Sequence, residues 1–265
     1  GCEVYVAPRT RFDKVHALDR EAYHLVLLCE NQKGYENLCY LVSEAFLHGF
    51  YGKPRVDLEL LEGHHEGLIA LSACLAGAIP QALMNENYDE AKRMALELSR
   101  IFGPEHFYLE MQDHGIDKQR PVNQGLQRLA RETGLPLVVT NDAHYLRRED
   151  ADMQDVLLCI QTGKTVDDLN RMRFETQEFY LKSEQELRQL FPGCGEAFDN
   201  TVKIAQMCNV DFTFHEYHLP AYPVPEGYTN EAYFRMLCEK GFQERYPDAP
   251  QEYRERMEYE INVIS

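Results

Sequence analysis

Short apolar runs alternate with stretches of helical spacing through most of the chain. Gly1-Cys2-Glu3-Val4-Tyr5-Val6 reads as a strand already under way, and Leu25–Cys29, Gly67–Leu71, Phe107–Met111 and Leu137–Thr140 read as further strands. Leu38, Leu41, Val42, Ala45 and Phe46 recur at helical spacing and predict a helix over Tyr35–Leu47. Helices are also predicted over Ala78–Met84, Asp89–Phe102, Arg120–Thr133 and Arg148–Gln161, with Gly103-Pro104 as a stop and Gly134 suited to the position after a helix end. Strands that are short and apolar throughout suit a sheet covered on both faces, and their alternation with helices suggests parallel β/α units. An open sheet and a barrel give the same local pattern.

Beyond about residue 180 the strand pattern stops. Glu184–Leu190 and Gly195–Cys208 are predicted helices. Then Pro220, Pro223 and Pro225 interrupt a short segment that can neither continue a helix nor sit in a central strand. It reads as an extended linker and a domain boundary near residue 210. Thr229 is placed to cap a helix over Asn230–Arg245, and a last helix begins near Gln251. Because the first residues are mid-strand and no initiator Met is present, Gly1 reads as a cut point.

Charge narrows the functional classes. The chain carries 27 basic and 44 acidic residues, a net charge of −17. A surface this acidic repels phosphate backbones unless its cations cluster, which argues against tight non-specific DNA binding by this segment alone. No apolar run approaches the roughly 18 residues of a membrane span, and no secretory leader pattern is visible. The eight cysteines are scattered, with no CxxC pair, and seven of them read as reduced, buried thiols of a cytosolic protein.

The most informative chemistry follows the last strand. Leu137-Val138-Val139-Thr140 runs into Asn141-Asp142-Ala143-His144. On extended backbone, residues i and i+2 point the same way, so the Asp142 carboxylate and the His144 imidazole converge beyond the strand end. Oxygen plus nitrogen suits Zn, Mn or Fe. Asn-Asp is equally good turn chemistry, and His144 reads as well as a surface residue. Glu3 alone is more often a solvated charge, His24 a structural histidine beside a strand, and Cys74 a core thiol. Their common position carries more weight: His24 enters one strand, while Cys74 and the Asp142/His144 pair follow the ends of two others. Arg147, Arg148, Arg171 and Arg173 are the nearest cations and read as solvated or paired with acidic neighbours such as Glu149 and Asp150.

In order along the chain, Gly1–Val6, His24–Asn31, Gly34–Leu38, Ser72–Gly77, Phe107–Gly115, Thr140–Tyr145 and Asp155–Lys164 resemble successive motifs of the polymerase-and-histidinol-phosphatase (PHP) domain of bacterial DNA polymerase III alpha subunits. The proline-rich linker and Met257–Ile264 resemble the entry to that family's palm domain. The likeness covers essentially the whole chain, and its motifs are long and correctly ordered.

The resemblance implies a distorted β/α barrel over residues 1–209, incomplete at its N-terminus, and a linker with the start of the palm over residues 210–265. It implies a multinuclear transition-metal site (Zn, Mn or Fe) whose ligands present here are Glu3, His24, Cys74, Asp142 and His144. Glu110 and His114 match a motif near that site and are expected to orient ligands. The family's first His-x-His and Asp-His motifs are absent and would precede Gly1. The palm aspartates that hold Mg²⁺ are absent and would follow Ser265. The parent protein is then expected to be a cytoplasmic, membrane-free DNA-directed DNA polymerase that works with DNA, dNTPs and other replisome subunits. Its PHP part is expected either to hydrolyse phosphodiesters in 3′→5′ proofreading or to be a platform for a separate exonuclease. The competing reading is a free-standing PHP phosphoesterase acting on a small phosphate monoester. Residues 210–265 weigh against it, since such an enzyme needs no linker and trailing helices.

Overall fold

The computed structural model describes residues 1–217 and 219–265. They divide into two compact units, Gly1–Asp211 and Phe212–Ser265. The first holds β1 (Cys2–Val6), α1 (His16–Asp19), β2 (Tyr23–Cys29), α2 (Gln32–Leu47), β3 (Arg55–Val56), α3 (Leu58–Gly63), β4 (Leu68–Leu71), α4 (Ala78–Met84), α5 (Tyr88–Phe102), β5 (Phe107–Met111), α6 (Gln119–Thr133), β6 (Leu137–Val139), α7 (Ala151–Thr162), α8 (Glu184–Leu190) and α9 (Gly195–Met207). The second holds α10 (Asn230–Arg245) and α11 (Gln251–Ile264). Thr229 caps α10 by accepting a hydrogen bond from the Ala232 N–H at 3.2 Å.

The fold is α/β, as the sequence predicts, with a six-stranded sheet in the order β3-β1-β2-β4-β5-β6. Its direction differs from the all-parallel expectation. β2 pairs antiparallel with both β1 and β4, while β1–β3, β4–β5 and β5–β6 are parallel. One strand therefore runs against five. The physical reason lies between β1 and β2, where the only helix is α1, four residues long. A parallel return needs a full crossover helix, and this segment has none. Among the described residues the sheet stays open, with β3 and β6 at its edges. The Asn200 amide of α9 donates to Leu137 O at 2.8 Å and so occupies part of the β6 edge.

Alternation in β1 and β2 separates the two faces. Val4, Val6, Leu25, Leu27 and Cys29 are buried in the main core against the helices. Glu3, Tyr5 and His24 occupy the other face, and His24 and Tyr5 stand opposite each other in the register. On that same second face Ile69, Leu71, Tyr108, Val138 and Ile204 form a smaller apolar cluster joined by Val26, Leu28 and Met207. The expectation of strands covered on both faces holds for β4 and β5, every residue of which is buried. It fails for β1 and β2.

Sequence periodicity missed α1, β3 and α3, all too short to show a period. Their place is fixed by charge. Arg55 of β3 is fully buried and donates to four carbonyls: Gly49 O, Asp19 O, Arg11 O and Asp13 O. Arg9 holds the Asp19 carboxylate in a two-pronged pair at 2.9 and 2.6 Å. A buried guanidinium is tolerable only when its donors are met, and here backbone oxygens meet them. The thiols also depart from expectation: all eight are free, but only Cys29 and Cys159 are buried and Cys39 is exposed.

The start of α2 lies against the turn before β4. A Cβ on Gly34 would stand 1.8 Å from the Gly67 carbonyl oxygen. Gly67 itself sits at φ +72°, so neither backbone can give way cheaply. Gly34→Ala is expected to cost about 3 kcal/mol by overpacking, read as a lower urea midpoint with an unchanged slope.

Candidate metal centre

The reversal of β2 sets the site. Because β2 opposes β4 and β6, its N-terminal end lies at the sheet edge where β4 and β6 finish. His24, the second residue of β2, therefore meets the loop that follows β4. The His24 N–H donates to Ala76 O at 3.1 Å, and Cys74 comes to the imidazole with Sγ 3.7 Å from Nδ1. Glu3 approaches diagonally from β1, its Oε1 3.1 Å from the same Nδ1. The ligand atoms of Glu3, His24 and Cys74 all lie within 4.8 Å of one another.

Oxygen, nitrogen and sulfur donors so placed fit a borderline-soft transition ion, whose ligands stand about 2.0–2.3 Å from it. The electrostatics agree. Cys74 first, then Glu3, push the His24 pKa up to about 10, and the bond to His24 lowers that of Glu3. The arrangement thus collects positive charge between an acid and a thiol, which a metal ion can supply in place of the proton.

Asp142 and His144 are not part of this close triad. Asp142 has φ +43°, so of the two readings that the sequence leaves open, Asp-x-His takes the turn and not the extended pair. The turn closes on itself: His144 Nδ1 lies 2.9 Å from Asp142 O. That contact makes Nδ1–H the donor and leaves Nε2 with its lone pair. The His144 N–H donates to Phe179 O at 2.8 Å, and the ring meets Phe174 and Phe179 edge-on at 4.8 and 5.4 Å. The charge of His144 acts on Glu3, while that of Asp142 acts on Glu110 and His114. His144 is thus an electrostatic neighbour of the triad, and Asp142 one of Glu110 and His114.

Glu110 and His114 touch the loops that carry these residues. The buried Glu110 carboxylate accepts from Ala73 N at 3.0 Å, Gln112 Nε2 at 2.9 Å and Thr140 Oγ1 at 2.5 Å. It joins the loop before Cys74, where Ala73 sits at φ +62°, to the loop before Asp142. Burial pushes its pKa up against those hydrogen bonds. His114 is buried and stacked on Phe179 at 4.1 Å, and burial lowers its pKa. Gln119 accepts from the His114 N–H and donates Nε2–H to Nδ1 at 2.7 Å. The proton is thereby left on Nε2, which donates to Asn141 O at 2.8 Å. Gln119, Phe179 and Lys182 carry no signal in the sequence, and Asn141 reads there only as turn chemistry. Asn141 exchanges hydrogen bonds with the Lys182 backbone at 3.0 and 3.2 Å, forty-one positions away, and no local pattern signals that. His114→Ala is expected to free the Asn141–Asp142 turn and weaken metal binding roughly 10- to 100-fold, measured by competition with a chromogenic chelator.

Two of the four nearby arginines are committed to ion pairs. Arg171 holds Asp155 at 2.5 and 2.6 Å, and Arg148 pairs with Glu178. Pairing was expected, but with partners near in space and not in sequence.

The PHP domain family model matches residues 1–114, the stretch that supplies Glu3, His24, Cys74, Glu110 and His114. The chain is 47% identical over 266 residues to the DNA polymerase III subunit alpha of Treponema pallidum, an alignment that takes in all of this chain and 23% of the relative. Along its whole length the chain is similar to the DNA polymerase III alpha subunits. The Thermus aquaticus subunit is 46% identical, with 96% of this chain and 22% of the relative aligned. For the Borreliella burgdorferi subunit the identity is 43%, with 100% and 23% aligned. The chain thus spans under a quarter of the length of these DNA polymerase III alpha subunits. No described helix is long and apolar enough to cross a membrane.

Proposed function

We propose that this chain works within a replicative DNA-directed DNA polymerase, as its metal-binding PHP part, and that its centre hydrolyses phosphodiester bonds at a DNA 3′ end. The carrying observation is the convergence of Glu3, His24 and Cys74 within 4.8 Å. The relatives' shared name and their alignment over the whole chain support this over a free-standing monoester phosphatase. Residues 1–209 form the PHP part in this reading, and residues 210–265 lead to the palm, where Mg²⁺, DNA and dNTPs would meet. The setting is the cytoplasm, with other replisome subunits as partners.

Glu3, His24 and Cys74 would hold one transition ion, Zn, Mn or Fe, with Cys74 as thiolate, and Asp142 and His144 Nε2 would serve the same centre. When bound, such ions supply a water of low pKa and offset phosphate charge. The residues do the rest: Glu110 fixes the spacing of the Cys74 and Asp142 loops, and His114 holds the turn that aims Asp142. Asp142→Asn with His144→Ala in the full natural polypeptide is expected to cut metal-dependent 3′→5′ hydrolysis of single-stranded DNA by at least 100-fold. Unchanged hydrolysis would end the catalytic reading.

One observation favours a platform role instead. On α7, Met153, Val156, Leu157 and Ile160 lie at helical spacing and are all exposed, Ile160 at 72%. An apolar stripe of this kind suits a docking partner such as a separate exonuclease. Metal retained with no hydrolysis in the wild-type protein would support that role.

A further inference from the structure

Lys53 stands beside the metal centre with an ammonium that no carboxylate claims. Its Nζ rests 4.1 Å above the Tyr5 ring, and that ring meets His24 edge-on at 5.1 Å. Tyr5 and Glu3 share one face of β1, so Lys53, Tyr5, His24 and Glu3 form a row leading into the centre. The charge of Lys53 also reaches the Glu3 carboxylate. Among the described residues no acidic group lies within 4.0 Å of Nζ, although acidic residues outnumber basic ones 44 to 27.

The loop that presents Lys53 is held firmly. Tyr51 N–H donates to Lys53 O at 3.0 Å around Gly52, which takes φ +71°. Pro54 fixes the next φ, and Arg55 anchors the segment through its four carbonyl contacts. The Arg55 guanidinium also faces the Tyr51 ring at 5.2 Å. With the loop backbone already fixed, gripping a ligand costs the freedom of the Lys53 side chain and not that of the loop. An ammonium on a ring face keeps donors for an oxyanion.

We infer that Lys53 is a phosphate-binding residue at the mouth of the metal centre, positioning a phosphate oxygen of the substrate beside Glu3, His24 and Cys74. This rests on the metal-centre reading above. A phosphate group can come from a small monoester or from a nucleic-acid backbone, and two probes separate them: inorganic phosphate by titration calorimetry, and a fluorescein-labelled phosphorothioate octathymidylate by anisotropy. Neither is turned over, so binding is read without catalysis.

In the full natural polypeptide, Lys53→Gln is expected to weaken binding roughly tenfold, the scale of one charge-assisted hydrogen bond. Lys53→Arg should stay within about threefold of wild type, and bound metal per chain should be the same in all three proteins. Weakening of both probes supports a site for any phosphate; weakening of the oligonucleotide alone supports a site for nucleic-acid backbone. If wild type holds metal and Lys53→Gln binds both probes as wild type does, the Lys53 assignment falls while the metal centre stands. If wild type holds no metal, the metal reading falls, and phosphate titration of the metal-free Lys53→Gln protein against wild type decides Lys53 alone.

Discussion

His24→Ala is expected to remove the transition metal held by the triad, taking it below detection in elemental analysis of the dialysed protein. His24 is the hub: Glu3 Oε1 and Cys74 Sγ each approach its Nδ1, at 3.1 and 3.7 Å. Without the imidazole, an acid on β1 and a thiol on the loop after β4 face each other with nothing between them, and two donors hold an ion far more weakly than three. Hydrolysis that depends on the ion should fall by roughly three orders of magnitude. Acid should have the same effect on the wild-type protein. His24 alone carries a pKa near 10, so protons and metal compete for one nitrogen, and metal retention should decline as pH falls. A His24→Ala protein that keeps its full metal content would place the metal on other residues.

The second large effect is on stability. Glu110→Ala is expected to destabilise the fold by roughly 3 kcal/mol, because the Ala73 N–H, the Gln112 amide and the Thr140 hydroxyl lose their acceptor inside the protein. Glu110→Gln should recover most of this. Gln112 Oε1 is buried with no partner, so a flipped Gln112 amide can accept from the new NH₂ while the new carbonyl keeps Ala73. The pH dependence has a definite sign. Burial raises the Glu110 pKa above its ordinary 4.5, so the carboxyl favours the fold most when protonated and loses that advantage as pH rises through the raised value. Wild type should therefore lose ground to Glu110→Gln as pH rises above 4.5, seen in paired thermal melts. A Glu110→Gln protein as unstable as Glu110→Ala would refute the acceptor argument.

Much of this protein is legible in its amino-acid order because the signals are local. Helices as long as α2, α5 and α6 declare themselves by spacing, and Gly103, Gly134 and Thr229 mark ends by requirements on their own backbones. Glu3, His24, Cys74, Asp142 and His144 are candidates from their places near strand ends together with the family resemblance, and the structure brings the first three together. What the order of residues did not reveal depends on strand direction and on contacts far apart in the chain. A reversed β2 has the same composition as a parallel one, yet only the reversal carries His24 to the edge where Cys74 arrives. Asn141-Asp142 reads equally as extended or as a turn, and the contact that closes His144 on the Asp142 carbonyl goes with the turn, at φ +43°. Arg55, Gln119 and Asn141 look like ordinary polar residues until burial makes each of their hydrogen bonds obligatory. Sequence determined the longer elements and the donor chemistry; the tertiary structure decided which donors meet, because that follows from sheet direction and long-range hydrogen bonds.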